Sequence, residues 1–173
     1  MNDFNEDLEF SHSQEMASWW LECYQKAFPT MSACVNVRND GWAQRGGIDR
    51  QIVLNCGRVV SVDEKVRRKD YGDILLEIFS DKDRKAQGWA IKPLACDFIA
   101  YAIAPTNKCF LFPTLNLQWA LQKNKKEWNE KAVNKIDGFG YREAINRSWI
   151  TQNMQVPADI LLNAVKETLV ITL

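Results

Sequence analysis

The sequence predicts a mixed α/β fold, α+β in its element order, with a central mixed sheet flanked by helices. Three observations carry this expectation. Apolar residues recur at helical spacing near the start and again over Leu115–Val133. Between and after these runs lie several short β-prone segments bounded by Gly, Pro, Asn and Asp. The 173 residues are 46% hydrophobic and 25% charged, the size and balance of one globular domain with a real core. Residues 1–173 therefore read as a single domain.

Composition narrows the function classes. Lys+Arg and Asp+Glu are 22 each, so the chain has no net charge and is not a generally basic nucleic-acid binder. The cysteines are Cys23, Cys34, Cys56, Cys96 and Cys109, with no C-x-x-C pair and His12 as the sole histidine. That set argues against a structural zinc site and reads as reduced thiols in a cytoplasmic protein. No apolar run reaches the roughly 18 residues of a membrane helix, and no signal peptide is recognisable.

Taken in order, Ser11 or Ser13 is placed to cap a helix running to about Phe28. Its stripe of Met16, Trp19, Trp20, Cys23, Tyr24 and Phe28 reads as core. Met31–Val37 reads as a strand, and Arg38–Gly47 as a loop with the turn signals Asn39-Asp40-Gly41 and Gly46-Gly47. The segment Gly46–Lys69 reads as a two-stranded hairpin, followed by a third strand of the same group at Asp73–Phe79. Ser80–Ala90 reads as loop or short helix. Asp97–Ala104 and Lys108–Phe112 read as a strand pair joined by the turn Pro105-Thr106-Asn107. The helix Leu115–Val133 carries Leu117, Leu121 and Trp128 on its apolar side. Ile145–Val156 reads as an edge strand, and Pro157 opens a last helix, Ala158–Thr168.

The hairpin carries the chemistry. A three-residue turn at Cys56-Gly57-Arg58 would place Gln51 opposite Asp63, Arg50 opposite Glu64 and Asp49 opposite Lys65. Alternation then sorts the residues into two faces. Ile48, Ile52, Leu54, Val60, Val62 and Val66 share one face, with Arg50 and Glu64 as a cross-strand ion pair. Asp49, Gln51, Ser61, Asp63 and Lys65 share the other. Two adjacent carboxylates disfavour each other's ionisation, and a hard divalent cation such as Mg²⁺ relieves that. The backbone carbonyl of Glu64 is a natural additional ligand. Lys65 is positioned to orient an attacking water or to stabilise charge on a phosphate. Together these parts suit metal-assisted phosphodiester hydrolysis. The bland alternative is a solvated face with Asp49 paired to Lys65 and Asp63 to Arg67.

These residues resemble the signature of the PD-(D/E)XK nuclease superfamily, an acid ending one strand followed by (D/E)-x-K on the next. Asp49 in Gly46-Gly47-Ile48-Asp49 matches the first acid, and Asp63-Glu64-Lys65 matches the second motif. Ile48 stands where the Pro of the signature would be. The G-x-D-R form around Asp49 is similar to that of recombination nucleases and of small phage or mobile-element nucleases. The resemblance implies a restriction-endonuclease-like αβββαβ core. It implies Asp49 and Asp63 as ligands of Mg²⁺ or Mn²⁺, with Lys65 assisting the attacking water. Glu15 on the first helix is the candidate for a further acidic ligand, and Gln51 for contact with substrate or a metal-bound water. Arg67, Arg68 and Lys69 are candidate contacts to the phosphate backbone. Trp42, Trp89 and Trp149 are candidates for stacking on bases. The implied activity is that of a metal-dependent DNA endonuclease, with a homodimer as one arrangement. The alternative is a catalytically silent nuclease-like module that binds nucleic acid or protein.

Overall fold

The computed structural model describes residues 14–146 and 148–173, without the side chains of residues 14 and 15. The proposed caps Ser11 and Ser13 and the Glu15 carboxylate lie outside the described residues. In chain order the elements are α1 Gln14–Ala27, β1 Met31–Asn36, α2 Gly41–Gly46, β2 Arg50–Leu54 and β3 Val59–Arg67. Then follow β4 Asp73–Asp81, β5 Ala86–Gln87, β6 Phe98–Ile103, β7 Lys108–Pro113 and α3 Thr114–Val133. The chain ends with β8 Gly140–Ile145, β9 Ile150–Pro157, α4 Ala158–Ala164 and β10 Leu169–Thr172.

The fold is mixed α/β. Its strands form two sheets rather than one, ordered β1-β2-β3-β6-β7-β10 and β5-β4-β9-β8. The chain divides into two compact units accordingly. Of the described residues, the hairpin unit comprises 14–70, Leu94–Thr114 and Glu167–Leu173, and the other comprises Tyr71–Pro93 and Leu115–Lys166.

In the hairpin unit every strand pair is antiparallel except β3 with β6. A parallel pair needs a long crossover, and residues 68–97 supply it. That crossover carries β4 and β5 instead of a helix. The strand expected beside the hairpin at Asp73–Phe79 is β4, Asp73–Asp81, and belongs to the second sheet.

Strand alternation makes one face of the first sheet a bed for α1. Met16, Trp20, Cys23 and Tyr24 form one buried cluster with Ile52, Val60, Val62, Ala100, Ala102, Cys109 and Leu111. Ala100 and Ala102 leave room for the large rings above them, and Trp20 stacks on Tyr24 with centroids 5.7 Å apart. Full burial of side chains of this size contributes on the order of 1.5–3 kcal/mol each.

In the second unit β9 is central, paired with both β4 and β8, and α4 packs on β4 and β9. Leu117, Leu121 and Trp128 of α3 are buried, as their spacing predicts.

Further segments depart from the sequence reading. Ser80–Ala90, read as loop or short helix, contains the strand β5, which pairs with β4. Arg38–Gly47, read as loop, contains α2. Asp40 caps it, its Oδ1 accepting from the amides of Trp42 and Ala43, and Gly47 ends it in the left-handed region at φ 66°. Ile145–Val156, read as one edge strand, is the return of the β8–β9 hairpin, whose turn is closed by Asn146 N–H to the Trp149 carbonyl. The last helix stops at Ala164, and Leu169–Thr172 pairs with β7 as a strand.

Candidate functional site

The site grows from a backbone junction. The Asp49 amide donates to the Val62 carbonyl at 2.8 Å, and the Asp49 carbonyl accepts from Val37 at 2.9 Å. Asp49 is thus held from both sides, between β1 and β3. Ahead of it, Gly46 and Gly47 let the chain pass close to residues 94 and 95. A Cβ on Gly47 would stand 2.5 Å from Leu94 Cδ2 and 4.0 Å from Asp63 Oδ2.

The hairpin keeps the predicted faces and changes the predicted partners. The turn has three residues, but they are Asn55-Cys56-Gly57. Leu54 N–H donates to the Arg58 carbonyl at 2.8 Å, and Gly57 takes φ 83° as the last loop residue. A three-residue loop of this kind wants its left-handed residue at the end, not in the middle. The register therefore moves by two residues, to Arg50 opposite Val62 and Gln51 opposite Ser61. A shift of two preserves every side chain's face. Asp49 lies beside Asp63 rather than opposite Lys65, and Gln51 is not Asp63's partner.

The outcome is a tighter carboxylate pair than the sequence suggested. Hydrogen bonds linking Asp49 with Val62 and Glu64 set it across from Asp63, so the two carboxyl groups are neighbours on one face. Asp63 is 4% exposed, and Lys65 Nζ lies 2.7 Å from its Oδ1. Burial pushes the Asp63 carboxyl above the usual carboxylate range, Lys65 pulls it back, and the Asp49 charge pushes it further up. Asp49 Oδ2 accepts from the Glu64 amide at 2.8 Å, and its Oδ1 lies 3.2 Å from Arg38 Nε.

Glu64, the middle acid of the motif, points to the α1 side. Its fully buried carboxylate receives Arg38 Nη2 at 2.6 Å, Arg50 Nε at 2.6 Å and the Tyr24 hydroxyl at 2.8 Å. The Arg50–Glu64 pair is the one the sequence suggested. Desolvation works against the Arg50 charge, and Glu64 outweighs it, holding the guanidinium above its ordinary pKa. Burial, then the Glu64 charge, raises the Tyr24 phenol well above its usual value, so the hydroxyl keeps its proton and donates. Arg38 touches both Asp49 and Glu64 and ties the buried network to the carboxylate pair.

The donor set suits a hard divalent cation. Asp49 and Asp63 offer neighbouring oxygen ligands, and a cation would take the place of the proton that burial favours on Asp63. The Glu64 N–H faces Asp49, and in a strand the carbonyl of a residue faces the same neighbour as its N–H, so that carbonyl is available to the same ion. The Asp49 and Lys65 side chains are 22% and 28% exposed, which leaves the pair open to water. Among the described residues, no group of three or more His, Cys, Asp or Glu side chains gathers as a ligand set. The cation would therefore rest on two carboxylates, a carbonyl and water.

Of the remaining candidates, Arg67 ends β3, and Arg68 and Lys69 follow it with exposed side chains. Trp89 is buried and Trp149 half-buried, whereas Trp42 is 82% exposed. Gln51 lines a cavity of 340 Å³ with Val37, Asp40, Trp42, Gly46 and Ile48 among its neighbours. Arg38 and Tyr24 went unrecognised in the sequence. Tyr24 sits in a helical stripe that reads as core, and Arg38 lies 26 positions from the acid it pairs with, where no local pattern links them. All five cysteines are free thiols. No helix of the described residues is long and apolar enough to cross a membrane. Comparison with protein-family models, with curated proteins and with solved structures gives no match.

Proposed function

We propose that the chain is a metal-dependent phosphodiesterase of the PD-(D/E)XK type, acting on DNA with Mg²⁺ or Mn²⁺ held by Asp49, Asp63 and the Glu64 carbonyl. One observation carries this reading. Two carboxylates that face each other across neighbouring strands have a lysine 2.7 Å from one of them, on one face of the β2–β3 pair. The bound cation would supply Lewis-acid activation of water and neutralise phosphate charge.

The chain's own groups have distinct tasks in that reaction. Asp63 Oδ1 holds the Lys65 ammonium, which fixes the lysine beside the carboxylates. From there the ammonium orients the attacking water and faces the charge that grows on the phosphoryl oxygens. As the water oxygen bonds to phosphorus, its proton leaves to solvent, and the broken P–O bond gives an alkoxide that takes a proton from water. Arg38 and the Glu64 amide hold Asp49 in place and take no part in the bond changes. The β1–β2–β3 meander with β6 parallel to β3, preceded by α1, supports a restriction-endonuclease-like core in which the crossover helix is replaced by strands.

A second reading rests on a specific contact. Arg38 already neutralises Asp49, as it would in a nuclease-like module that binds without cutting. One experiment separates the two. Purified protein is incubated with single-stranded and duplex DNA in Mg²⁺ or Mn²⁺. The nuclease reading requires metal-dependent cleavage that falls by at least about 10²-fold in Asp63→Ala and in Lys65→Ala, in line with loss of a principal electrostatic group. Binding with no cleavage in either metal establishes the silent module.

A further inference from the structure

The cavity beside the carboxylates is not used by the reaction chemistry, and its construction is specific. Its walls come from β1's end, α2, the Gly46–Ile48 approach, Gln51 and Ala95. Gly46 lines it, and the next residue, Gly47, approaches Asp63 Oδ2. The cavity is therefore one residue away from the proposed metal ligands. Gln51 points from the same face of the hairpin as Asp63 and Lys65. At 340 Å³ it is at the lower limit of small-ligand sites and suits one flat ring system rather than an extended ligand.

The lining fits a base. Among the described residues Trp42 is the most exposed large hydrophobic side chain, at 82%, although the short helix that bears it is capped at both ends. A capped helix can present an indole at the surface without loss of position. The Arg45 guanidinium lies over one face of the Trp42 ring, 4.7 Å from its centroid, so a base would stack on the opposite face of an indole already backed by a cation. Gln51 offers a side-chain donor and acceptor, and the wall is otherwise apolar apart from Asp40. A planar, hydrogen-bonding ring with a phosphate attached meets each of these groups.

We propose that this cavity takes one unpaired nucleobase, stacked on Trp42 and hydrogen-bonded by Gln51, so that the substrate is nucleic acid with a single-stranded segment at the cut site. The inference rests on the nuclease reading above. A base inside a duplex has both faces covered, so an indole platform in a cavity selects a base outside the stack. The hairpin gives the strand a direction. Ser61, opposite Gln51, and Arg67 are six residues apart on β3, about 20 Å at a strand's rise. Asp63 and Lys65 lie between them, so a base at Trp42 and phosphates at Arg67–Lys69 would bracket the scissile bond.

The test measures binding by fluorescence anisotropy in Ca²⁺, with labelled single strands and duplexes of one sequence. A second set of single strands has an abasic site walked through it. The expected result is a preference for the single strand, lost by about 5- to 100-fold in Trp42→Ala, the range of one base–aromatic stack. Trp42→Phe retains most of the affinity. One abasic position weakens the wild type and has a much smaller effect on Trp42→Ala, where only the Gln51 contact remains to be lost, a coupling that a general surface change would not give. Because Trp42 is exposed, the variant keeps the wild-type unfolding midpoint. Metal-dependent cleavage with equal affinity of wild type and Trp42→Ala at every abasic position overturns this inference and leaves the nuclease reading standing. A wild type that binds no oligonucleotide overturns both.

Discussion

At the scale of single residues, the three letters Asp63-Glu64-Lys65 divide between two sides of a sheet. Asp63 and Lys65 meet Asp49, while Glu64 is enclosed by Tyr24, Arg38 and Arg50. The two acids should therefore fail differently. Asp63→Asn removes a charge that its buried surroundings disfavour, so at neutral pH it abolishes cleavage without lowering the denaturant midpoint. Glu64→Ala leaves two guanidiniums without their buried carboxylate and costs roughly 3–5 kcal/mol by urea unfolding. Equal destabilisation by both substitutions would contradict the division. The sequence made this split legible, since alternation alone puts Glu64 with Arg50 on the apolar face. It offered no access to Arg38, because the contact between residues 38 and 64 depends on how β1 and α2 bring the chain back.

At the scale of elements, the turn and the short helix set the site's geometry. The sequence supplied the loop length and the two faces, and a misplaced Gly57 moved every cross-strand partner by two. A glycine placed last in the loop, where a left-handed φ is required, would have led to the observed register. A Cβ added at Gly57 would meet nothing within 4 Å, so only backbone strain opposes substitution there. Gly57→Ala should lower stability by about 1–2 kcal/mol, and Gly57→Asn by less, in urea titrations. Helix α2 carries a pH-dependent cap. The amides of Ala43 and Trp42 hold the exposed Asp40 carboxyl below its ordinary 3.8. A lowered folded value means the contribution is present above 3.8 and is lost as pH falls through the folded value. Asp40→Ala should therefore lower the thermal midpoint at pH 7 and approach the wild type in stronger acid. The missed strand β10 has a different cause. Four residues are too few for a periodic signal, and their partner β7 lies some sixty positions earlier in the chain.

At the scale of the whole molecule, a chain with 22 cationic and 22 anionic side chains has no general attraction for a polyanion. Affinity for nucleic acid must then come from few phosphate contacts and from stacking, and salt dependence measures their proportion. Each phosphate neutralised on a single strand contributes about 0.7 to the slope of log K against log salt. If Arg67, Arg68 and Lys69 each take one phosphate, the slope is about −2. A protein that bound through both other basic runs, Lys82–Lys85 and Lys123–Lys126, with three cations each, would show a slope of about −4. Replacing Arg67, Arg68 and Lys69 by Ala should flatten the slope towards zero while leaving a residual, salt-insensitive affinity from Trp42. Trp42→Ala should do the reverse, weakening binding at every salt concentration with the slope unchanged. The two variants thus separate the electrostatic from the stacking part of recognition. Their sum at a given salt should add in free energy only if the base at Trp42 and the phosphates at Arg67–Lys69 engage independently across the carboxylate pair.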